Sequence, residues 1–91
     1  MPFARLGLPE ALRLRGRYAW LRGKPEAARR WWEKSLAVAK KLGARYEAGA
    51  THLDLGQRFG DRAHLEEAQR IFTELGAQRD LARVRQMLSQ Q

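Results

Sequence analysis

Ninety-one residues with no cysteine make at most one small domain with a thin core, and exclude disulfides, thiolate chemistry and most structural zinc sites. With 44% hydrophobic and 31% charged residues, no apolar run near the roughly 20 residues of a membrane span and no secretory core in MPFARLGLPEAL, a cytoplasmic globular chain without a membrane role is expected. The net charge of +8 is lopsided: residues 1–45 carry 12 Lys/Arg against Glu10, Glu26 and Glu33, and residues 46–91 carry 6 against 7 acids. Such a basic half fits either an anionic partner or arginine-rich solvated helix faces.

Phe3, Leu6 and Leu8, broken by Gly7, form an apolar lead-in that resembles the tail of a preceding helix, as in an excised fragment or a capping segment. Pro9 suits the start of a first helix running to Gly23. In it Ala11, Leu14, Tyr18 and Leu21 form one stripe and Leu12, Gly16 and Ala19 another, about 120° away, so two neighbours are implied. Gly23 and Lys24 leave so little loop before Pro25 that the next helix must return antiparallel. That second helix is PEAARRWWEKSLAVAKKL. Its apolar residues (Ala27, Ala28, Trp31, Trp32, Leu36, Val38, Ala39, Leu42) span about half the helix, too wide an arc for one neighbour. A lysine-rich last turn and Gly43 end it.

A third helix is expected from Arg45 to Phe59, closed by Gly60. Each interior glycine there, Gly49 and Gly56, costs about 1 kcal/mol, which suggests close approach by a bulky neighbour, with the tryptophans of the second helix as candidates. Asp61 is placed to cap a fourth helix, RAHLEEAQRIFTELG, with Glu66 and Glu67 as early acids and Gly76 after its last turn. Asp80 is placed to cap a last helix bearing Leu81, Val84 and Leu88 on one face. Five helices and no strand make the expected fold all-α, built of antiparallel helical hairpins.

Laid over itself at an offset of forty, the chain aligns Gly16 with Gly56, Ala19 with Phe59, Ala28 with Ala68, and Trp32 with Phe72. The second copy also has Ala63, and the first has Gly23. This spacing resembles the tetratricopeptide repeat, whose pattern is W-x2-L-G-x2-Y, then a small residue, then A-x3-F. The chain departs from it in having Arg15 for the leucine and His52 for the tryptophan, in lacking the terminal prolines, and in a period longer than 34. The resemblance implies an α-α superhelix, with repeats at about 9–42 and 45–76 and a closing helix at about 80–90. The wording IFTELGAQRDLARVRQML is similar to the closing segments of repeat arrays at the C-terminus of bacterial signalling ATPases, cyclase-type regulators and LuxR-type activators.

No P-loop, dinucleotide fingerprint, zincin motif, nucleophile elbow or metal-ligand cluster occurs, so neither an enzyme nor a cofactor is expected. The adjacent Glu66 and Glu67 point about 100° apart and cannot act as a carboxylate pair. His52 reads as a packed, hydrogen-bonded histidine and His64 as an exposed one. The resemblance would set Arg13, Arg17 and Trp20, with Leu53 and Gln57, along a groove. Arg13 and Arg17, four apart on one face, could there hold a peptide carboxylate or simply be solvated.

Trp32 reads as core, whereas Trp20 and Trp31 suit either packing or a stacking platform. The expected role is a protein-interaction or scaffolding module for a protein or acidic peptide. Two repeats leave an end exposed, so self-association as a dimer is expected, with Phe3, Leu6, Leu8 and Trp31 as candidate contacts. The alternative is a basic helical nucleic-acid-binding domain.

Overall fold

The structure is a computed structural model that describes residues 7–91. Those residues form five α-helices and no strand: α1 Leu8–Leu21, α2 Pro25–Leu42, α3 Arg45–Phe59, α4 Arg62–Leu75 and α5 Gln78–Ser89. No helix among them is long and apolar enough to cross a membrane. Phe3 and Leu6 lie outside the described residues.

Four glycines set the topology. Gly23, Gly43, Gly60 and Gly76 all have positive φ, between 62° and 75°, a region that costs other residues about 1–2 kcal/mol. At each junction the N–H of the next residue bonds back five positions: Lys24 to the carbonyl of Ala19 at 2.9 Å, Ala44 to Ala39 at 2.8 Å, Asp61 to Gly56 at 3.0 Å and Ala77 to Phe72 at 3.0 Å. This is the Schellman closure, which satisfies orphan helix carbonyls and reverses the chain within two or three residues. Each helix therefore packs against the next, and α1 also touches α3. The result is a slab 20 Å thick, two helix layers deep at about 10 Å per helix.

The junctions also correct the offset of forty. Gly23 and Gly60 are 37 positions apart and Gly43 and Gly76 are 33 apart, because α2 has 18 residues and α4 has 14. Gly16 and Gly56, matched at forty, therefore face different partners. A Cβ at Gly16 would stand 2.7 Å from Trp32 Cε2, whereas one at Gly56 would meet Leu65. Phe72 is met by Gly49 instead, so the neighbours of Gly49 and Gly56 are on α4, not the tryptophans of α2.

The core follows the chain as three linked clusters. Trp32, Ala28, Ala19 and Leu55 form the first, Ala39, Ala48 and Ile71 the second, and Leu53, Leu65, Ala68, Phe72, Leu81 and Val84 the third. The centre of α3 is buried from Thr51 to Gly56. Leu53 and Leu55, two positions apart and so about 200° around the helix, serve opposite sides of the molecule. Leu53 is 5% exposed within the α4–α5 cluster, which corrects its expected place on a groove.

Polar groups join the helices inside the core. The Trp32 indole N–H donates to the carbonyl of Arg13 at 3.0 Å. Ser35 Oγ donates to the carbonyl of Pro9 at 2.7 Å and lies 3.2 Å from Thr51 Oγ1, which donates to the carbonyl of Glu47 at 2.9 Å. A hydroxyl in the middle of the α2 apolar arc thus bonds α2 to α1 and packs beside Thr51 of α3.

Capping matches expectation at one end and departs from it at the other. Asp61 accepts from the N–H of Ala63 at 3.0 Å and caps α4. Asp80 lies inside the first turn of α5, beyond Ala77 at the cap position, where it accepts from the Tyr46 hydroxyl. Glu66 and Glu67 lie past the first turn of α4 and pair with Arg62 and Arg70.

Candidate interaction surface

The arginines expected on a groove already have partners. Arg13 is buried, with Nη2 3.0 Å from Glu47 Oε1, and its Nε has no hydrogen-bond partner. Arg17 donates through Nε and Nη2 to the two oxygens of Asp54 at 3.2 and 3.3 Å. Asp54 is itself buried. Both pairs run from α1 to α3, so these guanidinium groups clamp one hairpin to the next. Trp20 is half-buried, edge-to-face with Phe59 and tilted at 33° to Trp32, under the guanidinium of Arg58. Gln57 is exposed. The structure therefore does not bring the five expected residues together as an open anion site.

The histidines are also paired. His52 is 7% exposed and its Nδ1 lies 2.9 Å from Nδ1 of His64. One ring must donate and the other accept, so His64 is tied into α3 rather than exposed. Burial, then repulsion from His64, lowers His52 to about 4, which leaves it neutral near pH 7. No group of three or more metal-ligating side chains occurs among the described residues.

The surface that stands open is the outer side of the α1–α2 hairpin. Of the two α1 stripes, Gly16 and Ala19 are buried, while Leu14, Tyr18 and Leu21 are 42%, 61% and 81% exposed. The second neighbour implied for α1 is thus not supplied by the described residues. Leu8 is exposed at the start of the same helix. Beside the open stripe, Ala27 and Trp31 of α2 are half-buried.

Three shallow depressions of about 290 to 350 Å³ merge on this face. One is lined by Ala11, Leu14, Arg15 and Tyr18. The second shares Arg15 and Tyr18 with it and extends past Arg22 and Lys24 to Ala27 and Trp31. The third continues from Ala27 and Trp31 to Arg30 and Lys34. The trough has an apolar, aromatic floor and a cationic rim.

Aromatic faces hold part of that rim. The Arg15 guanidinium carbon is 5.1 Å and Lys34 Nζ 5.6 Å from the Trp31 ring centre. Arg22 stands over Tyr18 at 5.5 Å and donates to its hydroxyl at 2.7 Å. Of the wide α2 arc, one side is buried against α1 and α3 and the other forms part of this trough. Periodicity marks an apolar face without saying what fills it, so that no described residue covers the stripe is a finding of the structure. No family model, curated protein or solved structure matches the chain.

Proposed function

We propose that the chain is a protein-interaction or scaffolding module of tetratricopeptide type, working through the outer trough of its first hairpin. The observation that carries this reading is the Leu14–Tyr18–Leu21 stripe beside Trp31, an apolar face that the described residues leave open on a domain too small to waste core-forming side chains. The two-hairpin arrangement and the Schellman reversals support the repeat reading. The clamped arginines Arg13 and Arg17 favour the outer trough over the α1–α3 side as the binding surface.

Selection from a displayed library of helical peptides tests the proposal. Selected peptides should bind the native chain and lose at least tenfold in affinity against Tyr18→Asp/Leu21→Asp. Because both residues are exposed, that variant should keep its thermal midpoint within a few degrees. No selected binder, or equal binding to both chains, would overturn the assignment.

A further inference from the structure

We infer that the outer trough takes an acidic amphipathic helix of another protein. The inference rests on the interaction reading above and specifies the chemistry of the partner. Leu14, Tyr18 and Leu21 are spaced four and three apart on one face of α1, and α2 runs alongside with Ala27 and Trp31. Two neighbouring helices with an apolar floor between them form a groove that a third helix fills with its own apolar residues at i, i+3, i+4 and i+7.

The rim fixes the charge of that helix. Arg15, Arg22, Lys24, Arg30 and Lys34 border the trough, and none has a carboxylate partner among the described residues, where ion pairs involve only Arg13, Arg17, Arg45, Arg62, Arg70 and His64 on the cationic side. Stacking of Arg15 on Trp31 and of Arg22 on Tyr18 restrains these side chains before any partner arrives. Unpaired cations stacked on the aromatic residues of an apolar trough complement glutamates flanking an apolar stripe.

A second copy of the chain fits poorly. Each copy carries a net charge of +8, and a face-to-face dimer would set five rim cations against five. Glu47, Asp54, Glu66, Glu67 and Glu74 are already paired with arginines, Asp61 caps α4 and Asp80 takes the Tyr46 hydroxyl. The chain's other acids are Glu10, Glu26 and Glu33. Head-to-tail stacking fares no better, since α5 carries exposed Arg79, Arg83 and Arg85. Nucleic acid is disfavoured because the trough is also lined by aliphatic Ala11, Leu14 and Ala27, which offer a base neither a stacking face nor a hydrogen bond.

The test is a library of helical peptides with apolar residues fixed at i, i+3, i+4 and i+7 and every other position randomised, selected against the full chain. The expected result is strong enrichment of Glu and Asp beside the fixed stripe. Affinity of a selected peptide should fall several-fold between 50 and 300 mM NaCl, and at least tenfold against Arg15→Glu/Lys34→Glu, with thermal melts confirming that the variant folds. Replacing the peptide glutamates by lysines should restore part of the loss against that variant. Binders without charge bias would overturn the acidic partner while leaving the interaction surface intact. Absence of any binder would overturn both. Sedimentation showing a dimer that Leu21→Asp dissolves would replace the partner by a second copy. A single-stranded oligonucleotide that displaces the selected peptide with a steep salt dependence would replace it by nucleic acid.

Discussion

Gly16→Ala separates helix propensity from packing, because the two predict opposite signs. In a solvent-exposed helix interior the change would stabilise by about 1 kcal/mol. At this site the added Cβ would lie 2.5 Å from Trp32 Cδ1 and 2.7 Å from Cε2, well inside van der Waals contact. Trp32 cannot yield at its far end, since the ring is fully buried and its N–H is bonded to the carbonyl of Arg13. Overpacking of a tight core costs about 1–3 kcal/mol, and disturbing a buried hydrogen bond adds about 1 kcal/mol. After the propensity gain, the net loss should be about 2 kcal/mol, or roughly 10 °C in a chain of this size. Thermal unfolding followed by far-UV circular dichroism and tryptophan fluorescence reads it. Trp32→Val ends the side chain at Cγ and so removes every atom in the clash, and the double variant should lose clearly less than the two single losses added together. A midpoint for Gly16→Ala equal to or above that of the parent would refute the packing argument.

Three further outcomes follow from buried polar groups. His52 is lowered to about 4 by burial and by His64, so between pH 6.5 and 4 the unfolded chain binds the proton that the folded chain refuses; stability should be full above pH 6.5 and fall by on the order of 1–2 kcal/mol by pH 5. Denaturant titrations across that range should show the fall in the parent and a much flatter profile in His52→Phe. Arg17→Met strands the buried Asp54 carboxylate and should cost about 2 kcal/mol, whereas Arg17→Met/Asp54→Leu should recover at least half; a double variant no more stable than the single one would contradict the clamp. Ser35→Ala removes the hydroxyl that donates to the Pro9 carbonyl and should cost about 1 kcal/mol, with faster amide exchange in α1 as the second readout.

Helix limits were legible because the punctuation was unambiguous. Four glycines, Pro25 and Asp61 mark the reversals, and the spacing predicts Arg45–Phe59 as a helix, which α3 occupies. The contents of α3 were less legible. Thr51, His52 and Asp54 are polar yet buried, so periodicity alone did not mark α3 as the centre of the molecule, and Leu53 was placed on a groove. Ser35 was hidden for the same reason, since its partners, the carbonyl of Pro9 and Thr51, lie on helices whose approach no local pattern encodes. The forty-residue offset brings Trp32 onto Phe72 only by passing over the extra turn in α2. Arg13 and Arg17 were placed on one face of α1, but the carboxylates that occupy them lie 34 and 37 positions away.

Those two arginines change what the basic half of the chain means. Counted as sequence, the cations of the first 45 residues form one charge asymmetry. In the fold they divide by helix face. Arg13 and Arg17 point to α3 and are neutralised there by Glu47 and Asp54, so they hold the hairpins in register and offer little field to a visitor. Arg29 lies 3.9 Å from the centre of the Phe59 ring and seals the aromatic cluster. Lys40 and Lys41 stand exposed in the last turn of α2, and Arg15, Arg22, Lys24, Arg30 and Lys34 lie around the α1 stripe that no described helix covers. Unpaired charge and uncovered apolar surface therefore meet on this face, and neither would be expected there if the face served solubility alone: solvated cations need no aromatic bed, and a solubilising face has no use for Leu14 and Leu21. Their coincidence is what a partner bearing both carboxylates and an apolar stripe would satisfy at once.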